Sequence, residues 1–91
     1  MRFMPLHHAI RDALALLRVT TGADLAGRAE QARKRLAEAV TAAPDAPAKA
    51  LTHIAAADEH LEYGELVEAR RLLTAARVLL PGHLRLVRAR A

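Results

Sequence analysis

The apolar residues of this chain recur at helical spacing in four separate segments. In the clearest segment they lie three and four residues apart, at Leu66, Ala69, Leu73, Ala76 and Leu80. This spacing places them on one face of a helix. Gly64 precedes the segment and Pro81-Gly82 follows it, so the pattern predicts a helix over residues 65–80 with a defined start and end.

Three earlier segments show the same periodicity, and we predict helices over residues 5–20, from Thr21 to about 43, and over 46–62. In the first helix we expect an inward face of Leu6, Ile10, Leu14 and Leu17, with His7 and His8 pointing outward. Thr21 and Asp24 have the spacing of a capping box, and Asp45 precedes the third helix as a candidate cap. Gly64 can adopt the left-handed conformation that ends the third helix.

These segments predict an all-α fold, a four-helix bundle of two antiparallel helical hairpins in a single domain of residues 1–91. The first hairpin covers 5–43, a linker with Pro44 and Pro47 covers 44–47, the second hairpin covers 48–81, and a basic tail covers 82–91. The tail either adds a short fifth helix or forms a basic arm. Runs of alternating apolar and polar residues are absent, which excludes strands as the main element.

The second hairpin, residues 50–83, resembles one tetratricopeptide repeat. Gly64 stands at the turn glycine of that family, Ala69 and Ala76 at its small positions, Leu73 at its large position and Pro81 at its closing proline. The resemblance implies tetratricopeptide-like packing and a role in protein binding. Residues 13–44 contain a similar pattern 37 positions earlier, and are either a degenerate copy or an unrelated helix pair.

The composition argues against an enzyme. The chain has no cysteine, no serine and only four glycines, so it lacks thiol and serine nucleophiles and any glycine-rich phosphate loop. His53 and His60 share a helix face, but they supply two of the three or four ligands that zinc requires. We therefore expect no catalytic residues, no cofactor and no metal site. No signal-peptide or membrane-spanning pattern occurs, and we expect a cytoplasmic bacterial protein.

The charge is unevenly distributed along the chain, which carries a net charge of +4. The turn near Gly64 is rich in acidic residues, whereas every charged residue after Glu68 is basic. This pattern fits either a solvated helix surface or a dipolar molecule that attracts an acidic partner to its basic end.

We interpret the protein as a small interaction module, an adaptor, chaperone-like or inhibitory protein that binds another protein. The repeat resemblance nominates a groove of His53, Ala57 and His60, with Leu16 and Thr20 as weaker equivalents. For an acidic partner, the expected contacts are Arg70, Arg77, Arg85 and Arg88. A homo-oligomer through Leu72 and Leu79 is also considered. A membrane-binding role is not expected.

The alternative hypothesis is a small nucleic-acid-binding regulator. Its contacts would come from the second helix and the tail, at Arg28, Arg33, Lys34, Arg35 and Arg90. Several basic side chains on one helix neutralise phosphates effectively. We also expect local ion pairs on this helix at Asp24/Arg28, Glu30/Lys34 and Lys34/Glu38. The scarcity of aromatic residues disfavours binding of single strands, so we rank this hypothesis second.

Overall fold

A computed structural model describes residues 3–18 and 24–82 of the chain. This part contains four helices: α1 (Met4–Leu16), α2 (Leu25–Thr41), α3 (Ala48–Glu62) and α4 (Leu66–Leu79). The predicted all-α bundle of two helical hairpins is confirmed, and α3 and α4 lie within three residues of their predicted bounds. The predicted fifth helix and the tail after Gly82 lie outside the described residues, as do Thr20 and Thr21.

The start of α2 differs from the prediction. The helix is capped by Asp24, whose side chain accepts a hydrogen bond from the Gly27 amide at 3.0 Å. A carboxylate at the cap satisfies one of the free amides of the first turn. The cap therefore lies three residues later than the predicted Thr21. The N-cap of α3 is Pro47, without a side-chain hydrogen bond, in place of the predicted Asp45.

The α3–α4 turn forms as its sequence indicates. Gly64 has a φ of +73°, a left-handed conformation that glycine adopts without the strain of a side chain. The Gly64 amide bonds to the Leu61 carbonyl and the Glu65 amide to the His60 carbonyl, at 3.1 and 2.9 Å. These two bonds form a Schellman motif, which satisfies carbonyls at the end of α3.

Small residues dominate the interior of the bundle. The largest fully buried side chains are Leu6, Ile10, Leu17, Leu36 and Leu73. Around them lie many buried alanines, among them Ala9, Ala13, Ala32, Ala50, Ala57, Ala69 and Ala76. Alanine at facing positions lets neighbouring helices approach closely. Of the predicted inward residues of α1, Leu6, Ile10 and Leu17 are buried, whereas Leu14 is half-buried. Leu72 packs against this core, whereas Leu79 is exposed.

The four helices contact one another in cyclic order, since α1 packs on α2, α2 on α3, α3 on α4, and α4 on α1. The last contact is fixed at one end by His7, whose Nε2 lies 2.8 Å from the carbonyl oxygen of Pro81. His7 is buried, so the prediction that it points outward is wrong. Because the bond joins the beginning of α1 to the end of α4, these two helices run antiparallel.

The described helices include none with both the length and the apolarity needed to cross a bilayer. The tetratricopeptide resemblance stays a prediction.

Candidate functional site

A groove of about 630 Å³ runs along the surface between α1 and α4. The groove lies beside the buried contact between the two helices, and both helices contribute residues to its lining. On α1 and just beyond it, the lining residues are Arg11, Leu14, Ala15 and Arg18. On α4 they are Val67, Arg70, Arg71, Thr74 and Arg77. The spacing of three and four residues within each set is that of one helix face.

The lining of this groove, which we call the arginine groove, is strongly basic. Of the nine lining residues that belong to the described part of the chain, five are arginines and none is acidic. Like charges that line one groove repel one another and raise the local positive potential. The guanidinium groups also present several donors each in a planar geometry that matches carboxylates and phosphates. The arrangement is suited to binding an anionic partner.

Three of the five arginines form no ion pair with the described residues. Arg11 contacts Asp12 at 3.2 Å, and Arg71 lies 3.9 Å from Glu68 on the outer side of α4. Within the described part of the chain, Arg18, Arg70 and Arg77 lie within 4 Å of no carboxylate. Their charge is therefore available to a ligand.

Asp12 is the acidic residue of α1 nearest the groove, but it is engaged by α2. Its Oδ2 accepts hydrogen bonds from Arg35 Nε and Nη2 at 3.2 and 2.9 Å. The Arg35 hydrogen bond, followed by the bond from Arg11, holds the pKa of the Asp12 carboxyl below its usual value despite partial burial. Asp12 thus joins α1 to α2 and leaves most of the arginine charge uncompensated.

A larger groove of about 950 Å³ lies between α1 and α2, but its charges balance. Its lining includes two aspartates and two arginines: Asp12, Asp24, Arg28 and Arg35. A balanced lining selects less strongly for ligand charge than the arginine groove does. We therefore take the arginine groove as the candidate site.

The residues nominated from the repeat resemblance lie elsewhere, on α3. Ala57 is completely buried among the core side chains, whereas the partner-contacting role predicted for it requires an exposed side chain. His53 Nδ1 lies 2.8 Å from the Lys49 carbonyl oxygen, and His60 Nδ1 lies 2.9 Å from Glu65 Oε1. Leu16 is half-buried. None of these four residues is among those that line the arginine groove.

Two of the arginines nominated for nucleic-acid binding form cross-helix ion pairs. Arg33 Nε donates to Asp58 Oδ1 of α3 at 2.9 Å, and this bond raises the pKa of Arg33 above its usual value. Arg35 is bound to Asp12 of α1. Arg28 and Lys34 form no ion pair among the described residues, and none of the three expected local pairs on α2 is present there. Arg85, Arg88 and Arg90 lie outside the described residues.

Sequence reasoning found Arg70 and Arg77 but missed Arg11, Arg18 and Arg71. A usable signal was present, because Arg11 and Arg18 lie two helical turns apart on α1. What the sequence did not contain was the identity of the helix that packs beside them. Among the described residues, no group of three or more histidine, aspartate or glutamate side chains is arranged to hold a metal ion.

Comparisons with models of known protein families, with characterised proteins and with solved structures found no match.

Proposed function

We propose that this protein is a non-enzymatic interaction module that binds an acidic segment of another protein in the arginine groove. One observation carries the proposal: among the described residues, the lining of the groove between α1 and α4 contains five arginines and no acidic residue. Electrostatic complementarity of this kind favours partners of the opposite charge and accelerates their association.

The lining also favours a protein partner over nucleic acid. Arginine side chains alone suit either, but the described lining also contains the apolar residues Leu14, Ala15 and Val67. A protein segment covers such residues with its own apolar side chains. Binding of a single nucleic-acid strand uses aromatic side chains for stacking, and the lining residues that the structure describes include none.

Photocrosslinking from the groove tests the proposal. A photoreactive amino acid replaces Thr74 in the groove or, as a matched control, Thr52 on α3. Both threonines are exposed on their helices, and both hydroxyls bond to the carbonyl four residues earlier at 2.9 Å. The experiment uses nuclease-treated lysate of the organism that encodes the protein, with mass spectrometry of the adducts.

We expect a discrete acidic protein crosslinked from position 74 and not from position 52. The adduct should disappear with Arg70→Glu and persist with Arg28→Glu, a charge-matched change on α2. Equal crosslinking from both positions would contradict the proposal. So would an adduct that is consistently nucleic acid when nuclease is omitted, or one sensitive to Arg28→Glu and insensitive to Arg70→Glu.

A further inference from the structure

The turn between α3 and α4 carries an acidic surface that is separate from the arginine groove. We call it the acidic turn, and it consists of four exposed glutamates and an exposed tyrosine: Glu59, Glu62, Glu65, Glu68 and Tyr63. Glu59 and Glu62 form no ion pair with the described residues, whereas Glu65 contacts His60 at 2.9 Å. The acidic turn therefore presents carboxylates to a second molecule, as the arginine groove presents guanidinium groups.

Tyr63, in the middle of the acidic turn, is more exposed than is usual for an aromatic residue. The chain contains one tyrosine and one phenylalanine. Phe3 is buried in the core, whereas Tyr63 is 71% exposed. Tyrosine is enriched where proteins contact one another, and an arginine guanidinium stacks on aromatic faces as well as pairing with carboxylates. A tyrosine among glutamates is therefore chemically matched to a groove of arginines.

The backbone of the acidic turn is well ordered. The two hydrogen bonds of the Schellman motif fix Gly64 and Glu65, and a third joins the Leu66 amide to the Gly64 carbonyl at 3.1 Å. The contact with His60 also fixes the side chain of Glu65. A surface that is ordered before it binds loses less conformational entropy on binding. The acidic turn is thus preorganised for docking.

From these two surfaces we infer that the protein self-associates, with the acidic turn of one copy bound in the arginine groove of a second copy. The contact lies between molecules, because no residue of the acidic turn is among the described residues that line the groove. The turn and the groove are different surfaces, so the contact is head-to-tail and generates a ring or an open chain of copies. This inference goes beyond the proposed function but uses the same groove, so an acidic partner would displace the second copy.

The net charge of the protein opposes this association, and the salt concentration sets the balance. Two copies that each carry a net charge of +4 repel each other. At about 0.1 M salt the Debye length is about 10 Å, so repulsion at longer range is largely screened, whereas ion pairs in contact are screened much less. At about 1 M salt this length falls to about 3 Å, and exposed ion pairs weaken as well. We therefore expect association at the lower salt concentration and its loss at the higher one.

Charge reversal on each surface tests the inference, by sedimentation velocity of the full chain at about 0.1 M salt. The turn variant carries Glu59→Arg and Glu62→Arg, the groove variant carries Arg70→Glu and Arg77→Glu, and the combined variant carries all four substitutions. We expect the turn variant and the groove variant to be monomeric. The combined variant should associate again, because the signs of both surfaces are exchanged, and so should an equimolar mixture of the turn and groove variants.

Two controls exclude a nonspecific effect of charge or of apolar exposure. The groove variant lowers the net charge from +4 to zero, so a change in net charge alone would strengthen its association. Tyr63→Ala should weaken association at least about tenfold. Val78→Ala should leave it unchanged, since Val78 is 59% exposed on α4 and lies outside both surfaces. Circular dichroism checks that all variants remain folded.

Photocrosslinking of the purified protein locates the contact. A photoreactive residue at position 74 should give an adduct of two chains, joined to the second chain within residues 59–68. An adduct joined elsewhere would overturn the inference. So would a chain that stays monomeric up to about 1 mM, a groove variant that associates more strongly than the original chain, or a combined variant that stays monomeric.

The turn variant separates this inference from the proposed function. Its arginine groove is intact, so it should lose self-association and still crosslink to an acidic protein in lysate. Retention of self-association in the turn variant would overturn the inference and leave the proposed function standing. Self-association as expected, without any lysate adduct of another protein from position 74, would support the inference and overturn the proposed function.

Discussion

The Nε2 atom of His7 lies 2.8 Å from the carbonyl oxygen of Pro81 and joins the first turn of α1 to the residue after α4. A carbonyl only accepts hydrogen bonds, so Nε2 carries the proton and donates it. His7 is 3% exposed, and its Nδ1 is buried without a hydrogen-bond partner in the described part of the chain. This contact holds one end of the arginine groove together.

Removing the His7 side chain should therefore destabilise the fold. His7→Ala deletes a buried ring and its long-range hydrogen bond, and we expect a loss of about 2 kcal/mol in the free energy of unfolding. The matched control is His8→Ala, next to it and only partly buried, with an expected change within about 0.5 kcal/mol. Urea denaturation followed by circular dichroism measures both. Equal effects of the two substitutions would show that the His7–Pro81 contact contributes nothing specific.

The buried position of Ala57 leads to a second prediction. Ala57→Leu adds three carbons to a fully packed site on α3, and overpacking of this kind should cost about 2 kcal/mol. Ala55→Leu places the same side chain on the exposed face of the same helix and should change stability by less than about 0.5 kcal/mol. Thermal unfolding of the two variants compares them directly. If both were neutral, Ala57 would be accessible and the predicted groove of His53, Ala57 and His60 would again be a candidate partner surface.

The faces of the helices could be predicted from the sequence because burial follows a local period. Gly64 was predictable for the same reason, since a glycine after an apolar helical pattern indicates how the helix ends. The arginine groove depends instead on which helix packs beside α1, a contact between residues far apart in the chain. Arg33 and Arg35 show the same limit: their partners Asp58 and Asp12 lie 25 and 23 residues away, whereas local spacing suggested neighbours on α2.

The ion pair between Asp12 and Arg35 should make a small pH-dependent contribution to stability. Because the pKa of Asp12 is lowered in the folded state, the contribution is fully present above the unfolded pKa, about 3.9. It is lost as the pH falls through the lower folded value. Both side chains are more than a third exposed, so solvent screening limits the effect to about 0.5 kcal/mol.

The measurement is the difference in unfolding free energy between the original chain and Asp12→Asn across the acidic range. We expect the original chain to be more stable at neutral pH, with the difference disappearing below the folded pKa and shrinking in high salt. A difference that is independent of pH would mean that the hydrogen-bond geometry, and not the charge of Asp12, stabilises the contact.

The arginine groove should also reduce the stability of the free protein. Arg70 lies among like charges and contacts no carboxylate in the described structure, so Arg70→Gln should raise the melting temperature slightly at low ionic strength. Arg28→Gln removes the same charge beside Asp24 and Asp12 and should not raise it. Differential scanning calorimetry at low and high salt tests this comparison. A lower melting temperature for Arg70→Gln at low salt would argue against uncompensated repulsion in the groove.

The most direct test of the central claim is a nuclear magnetic resonance titration of the isotope-labelled protein with a peptide rich in aspartate and glutamate. The account predicts amide shift changes concentrated in Arg11–Arg18 and Val67–Arg77, with little change along α2 and on the outer face of α3. Shift changes centred on Arg28–Arg35, or on His53 and His60, would contradict the assignment of the arginine groove as the binding site.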